Sequence, residues 1–154
     1  MVRGKYILAT LTAVMLGSAP CVFAQEGSAD ETYAVEFRDA LRLRERGMHS
    51  RSSAVFDELS QSYGKTDPLA LSVLEDVLRQ VPGYEIRMDA FACAYPHSVY
   101  LPQIRFAHAV NLFEAQEYSS ALEVLESLKL RQLTRSQKDE YLFRKAYSYL
   151  ETGN

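Results

Sequence analysis

The stretch 101–128, LPQIRFAHAVNLFEAQEYSSALEVLESL, narrows the fold more than any other part of the chain. Apolar residues recur at helical spacing on both sides of Ala115-Gln116-Glu117, so the stretch reads as two amphipathic helices joined by a tight turn. Ala109 stands where the first helix meets the second, and Ala121 does the same on the second, with Leu125 and Leu128 continuing its buried stripe. Small side chains at two crossing points let helices approach at the short end of the usual packing distance.

The same pattern extends along the chain. Helical periodicity starts near Tyr33, with Val35, Phe37, Ala40, Leu41 and Leu43 on one side, and stops at Gly47. A second helix follows to Tyr63, carrying Ala54, Val55, Phe56 and Leu59. Gly64-Lys65-Thr66-Asp67-Pro68 then punctuates the chain. A third helix runs over 69–81 and ends at Pro82-Gly83. A fourth carries Ile86, Met88, Phe91 and Ala92 and closes at Tyr95-Pro96-His97-Ser98. After residue 128 a linker leads to a last helix over 137–152, with Thr134 or Ser136 as its cap. Nothing predicts a sheet, because Gly-bounded runs of alternating β-branched residues are missing.

These units superpose on one another. Ala109, Leu112, Glu114 and Gln116 line up with Ala146, Tyr149, Glu151 and Gly153 at a constant offset of 37 residues. Ala40 and Gly47 line up with Ala109 and Gln116 at an offset of 69, which leaves room for one unit between them. In the second helices Ser52, Phe56 and Leu59 fall where Ala121, Leu125 and Leu128 sit. On these residues the chain resembles the tetratricopeptide repeat family, whose unit is a helical hairpin of about 34 residues. The YPHS tail of the second unit strengthens the likeness. The second unit lacks a small residue at the expected place, and Arg105 replaces the usual large aromatic in the third. The resemblance implies an all-α chain of about seven helices, with antiparallel hairpins stacked as a right-handed solenoid. The units would span about 33–64, 67–98, 100–130 and 135–154. The last has one helix only, which suggests a chain continuing beyond residue 154.

Residues 1–24 form a separate segment. Arg3 and Lys5 precede an apolar run over 6–17, Ser18-Ala19-Pro20 breaks it, and Val22-Phe23-Ala24 supplies a cleavage motif before Gln25. The run is too short to span a bilayer, and no second one follows, so a signal peptide cut after Ala24 is expected, with no transmembrane span in the mature chain. Cys21 follows Pro20 rather than the small residue a lipid-modified cysteine requires. Residues 25–32 are polar and read as a flexible lead-in. Cleavage leaves Cys93 alone, without a disulfide partner; the apolar stretch 90–94 places it in the core as an inert thiol.

Catalytic machinery is not evident. The three histidines, His49, His97 and His108, lie on separate elements without metal-ligand spacing, and no phosphate-binding glycine loop or nucleophile elbow occurs. The expectation is therefore no enzyme, no cofactor and no metal. A formal net charge of −3 without a basic run argues against nucleic acid. Arg38, Arg42, Arg44 and Arg46 read as a solvated face.

What a solenoid offers is a groove along its first helices. The resemblance assigns that groove to positions three before and one and four after the small residue: Phe37, Leu41 and Arg44; Phe106, Val110 and Phe113; Phe143, Tyr147 and Leu150. An apolar and aromatic row of this kind fits capture of a peptide or helix, and it equally fits packing between neighbouring first helices. The leading expectation is an exported scaffold of the bacterial periplasm or outer-membrane envelope that holds protein partners, reaching the outer membrane through one of them. The alternative is the extracytoplasmic sensory repeat region of a larger membrane-bound signalling protein.

Overall fold

A computed structural model describes residues 23–153, with side chains from residue 29. Seven helices follow one another in antiparallel pairs: α1 (Phe23–Glu45), α2 (His49–Tyr63), α3 (Thr66–Leu78), α4 (Tyr84–Ala94), α5 (Leu101–Glu114), α6 (Tyr118–Ser127) and α7 (Arg135–Thr152), with a short 3₁₀ turn at Leu130–Gln132. No strand occurs among the described residues. All but the last two residues of the expected signal peptide, Cys21 included, lie outside the described residues. Helix α1 starts ten residues before Tyr33, so residues 25–32, expected as a flexible lead-in, continue the helix, and Asp30 pairs with Lys65 at 3.1 Å.

One device ends the odd-numbered helices. At Gly47, Gln80 and Gln116 the backbone turns left-handed, with φ of +73°, +51° and +66°. The N–H groups of Gly47, Gln80 and Gln116 donate to the carbonyls of Arg44, Val77 and Phe113, and those of Met48, Val81 and Glu117 donate to Leu43, Asp76 and Leu112. Each pair of bonds satisfies carbonyls that a helix end otherwise leaves bare. Gly153 repeats the conformation with φ +74° and a bond to Leu150. The four turn residues stand 33, 36 and 37 residues apart, so the unit without a sequence signature has its turn at Gln80. Seven residues before each turn stand Ala40, Val73, Ala109 and Ala146. The first three are buried and Ala146, over which no described second helix folds, is exposed.

Helix α3 is the central element, buried at every position from Ala70 through Val77, which explains why its apolar residues fill more than one stripe. It packs against α2, α4 and α5, and α5 in turn packs against α3, α6 and α7. The core has two parts that meet at α5. Ala40, Phe56, Leu59, Val73, Val77, Phe91 and Ile104 belong to the first, and Phe106, Ala109, Leu125, Leu128, Leu133 and Tyr141 to the second. The expected pairs Ser52 and Ala121, Phe56 and Leu125, Leu59 and Leu128 are all buried. Helix α4 lies at the edge, against α3. Tyr84, Met88 and Phe91 face inward, whereas Ile86 is 77% exposed and Cys93, expected in the core, is exposed as well. A short helix covered on one side buries only one stripe, and both residues fall off it.

Candidate functional site: a polar-walled cleft along the odd-numbered helices

The predicted row of apolar groove residues divides in three. Phe37 and Leu41 are half-buried against the first core, with the Phe37 ring 5.7 Å from Phe56, and Phe106 is buried in the second. Counting back from Gln80, the corresponding positions of the second unit are Ala70, Leu74 and Val77, all buried. For these residues the row is packing between helices.

Val110 alone of the apolar members of the row combines partial exposure with a place in a cleft. That cleft, of about 380 Å³, is walled by α3, α5 and α7 and closed by Arg44 at the end of α1. Leu74, Leu78, Phe106 and Val110 provide apolar surface, while Gln80, Gln103, Asn111 and Gln137 bring amides and Glu114 and Glu140 bring carboxylates. The Asn111 amide donates to the Val77 carbonyl at 2.7 Å and receives Gln80 at 3.4 Å, tying the end of α3 to α5. A groove expected to be apolar therefore has polar walls, because the apolar side chains of the row turn into the helix contacts that build it.

Phe113, Phe143 and Tyr147 join Tyr118 in an aromatic cluster beside the cleft, with Phe113–Tyr147 and Tyr118–Tyr147 centroids 5.5 Å apart and Phe113–Phe143 at 6.4 Å. Arg144 lies over the Phe113 ring at 4.9 Å and bonds to Glu140 at 2.6 Å. Phe143 and Leu150 are 62% and 77% exposed.

Two polar constellations went unread in the sequence. Glu75, fully buried in α3, has Arg44 Nε 2.5 Å from Oε1 and His49 Nδ1 2.6 Å from Oε2. The Arg44 contact is an ion pair by distance, but its direction is too poor for a hydrogen bond, and Oε1 accepts none. Arg44, expected on a solvated face, is thus half-buried and committed to the fold, while Arg42 pairs with Asp39 on the surface. The other constellation joins α2, α3 and α4: Arg87 donates to Asp57 at 2.8 Å and also to Asp76, Ser72 donates to Asp57 at 2.7 Å, and Ser53 to Asp76 at 3.2 Å. A helix buried all round must have its polar side chains paired, and these partners pair them. The sequence signal was Glu75-Asp76 inside an apolar helix, legible only once that helix is known to be central.

His108, on α5, meets the Tyr84 hydroxyl at 3.0 Å through Nδ1, and burial pushes its pKa below the usual range, against the upward pull of Glu85, Asp89 and Glu117. The unfolded chain then takes a proton near pH 6.5 and the folded chain only at lower pH. Stability should hold above about pH 7 and fall as the pH drops below about 6.5. Urea titrations from about pH 7 down to about pH 5 should show a shallower loss in His108→Gln than in the parent; equal slopes would remove His108 from the account.

Among the described residues no cluster of His, Cys, Asp or Glu is placed to hold a metal ion, and no helix is long and apolar enough to cross a membrane. No protein-family model, curated protein or solved structure matches the chain.

Proposed function

We propose that this protein is an exported tetratricopeptide-like scaffold of the bacterial periplasm or outer-membrane envelope, whose stacked hairpins hold a segment of a partner protein in the cleft along α3, α5 and α7. The observation that carries the reading is the recurring left-handed helix ending at Gly47, Gln80, Gln116 and Gly153. A repeated reversal at nearly constant spacing stacks hairpin on hairpin, the architecture of a solenoid, and solenoids act through the surface their first helices share. The leader-like residues 1–24 support export. The cleft supports an extended peptide: Gln80, Gln103 and Gln137 offer amides to its main chain, and Val110 and Leu78 offer apolar contact to its side chains.

Peptides selected from a displayed library against the whole chain test this reading. Val110→Asp should weaken the selected peptides about tenfold or more, and Gln103→Ala about threefold, with helix content unchanged. Undiminished binding to both variants would place the partner surface elsewhere.

A further inference from the structure

The open row on α7 carries a second surface. Phe143, Tyr147 and Leu150 occupy the positions that Phe106, Val110 and Phe113 hold on α5 and that Ala70, Leu74 and Val77 hold on α3. On α3 this row is buried, and on α5 it is half-buried or better, because the next odd-numbered helix lies against it. On α7 no described helix covers it, and Tyr147 is 37% exposed between the more open Phe143 and Leu150. Phe143 and Tyr147 touch Phe113 and Tyr118 along one edge, and the rest of the row is left open among the described residues.

The α5–α7 contact shows what such a molecule needs. Helix α7 covers α5 with the buried Tyr141 and with Arg144, whose guanidinium lies over Phe113 and 3.7 Å from Glu114. One unit on, Leu150 and Glu151 stand where Phe113 and Glu114 stand. Neither Glu151 nor exposed Asp139 has a cation within ion-pair distance among the described residues. Glu114, Asp139, Glu140 and Glu151 thus rim the aromatic patch, against the single guanidinium of Arg144, itself only 15% exposed. Apolar surface in a carboxylate rim complements an amphipathic helix with cationic flanks.

We propose that the α7 face formed by Phe143, Tyr147 and Leu150 docks an amphipathic helix of a partner protein that sets Arg or Lys against Glu151 and Asp139, as Arg144 is set against Glu114. This face lies beside the cleft and shares Glu114 and Glu140 with it, but Phe143, Tyr147 and Leu150 line no part of the cleft.

The test uses the whole chain and a designed helical peptide of about 18 residues, with Leu at helical spacing, Arg on both flanks and a terminal Trp. The protein has no Trp, so the fluorescence reports the peptide alone. The Arg peptide should bind and a Glu-flanked counterpart should not. Phe143→Asp or Leu150→Asp should weaken binding about thirtyfold or more, and Glu151→Lys about three- to tenfold, with less effect at high salt. Both apolar positions are largely exposed, so either variant can stand in should the other misfold. Val110→Asp and Gln103→Ala should leave the peptide's affinity unchanged. Equal binding of the two peptides would overturn the charge argument. Loss in Val110→Asp with retention in Phe143→Asp would overturn the location and leave the cleft as the site. A dimer on sedimentation, dissociated by Phe143→Asp, would make a second copy the occupant and overturn the proposed partner.

Discussion

Arg44→Ala is expected to lower the unfolding free energy by about 3 kcal/mol, because it strands a carboxylate that no water reaches. Glu75 is fully buried, and its two partners, Arg44 and His49, come from either side of the α1–α2 turn. Removing Arg44 leaves only the His49 ring against Glu75, and most of the desolvation cost of the carboxylate falls on the fold. The partial exposure of Arg44 sets the estimate at the low end of the range for broken buried pairs. Adding Glu75→Leu should recover most of the loss, since a well-packed apolar side chain avoids the stranded charge. Denaturant titration of the parent, the single variant and the double variant measures both steps. A single-variant loss below about 1 kcal/mol would show that water reaches Glu75 in solution.

Phe56→Ala should cost about 3 to 5 kcal/mol, since Phe56 is wholly buried where α1, α2 and α3 meet, and truncation leaves a cavity against Phe37. For a domain stabilised by about 5 to 15 kcal/mol that is a large share. Leu150→Ala, at 77% exposure, should change stability by less than about 0.5 kcal/mol. The contrast separates two apolar residues to which helical periodicity gives equal weight. If both changes cost the same in urea, α7 would be covered in solution.

That contrast marks where the sequence stops being informative. The turns at Gly47 and Gly153 were legible because glycine is the residue that takes a left-handed backbone without cost. The turn at Gln80 was not, because nothing about glutamine announces a φ of +51°, and so the second unit looked irregular. Val73 holds the place that alanine holds elsewhere, a substitution no small-residue pattern could find. Cys93 was expected in the core from the apolar stretch 90–94, and the edge position of α4 turned it out together with Ile86. The groove row was expected to share one fate, but its members differ: Phe106 is core, Val110 lines a cleft and Phe143 faces solvent.

The sequence by itself determined seven helices in antiparallel pairs, since periodicity, caps and breakers act over a few residues and need no knowledge of what packs on what. Only the tertiary structure decided which of the repeated apolar positions are buried, that α3 is central and Arg44 structural, and that the cleft has polar walls. Burial is set by the neighbours a helix acquires, and those depend on its place in the packed order rather than on its own pattern.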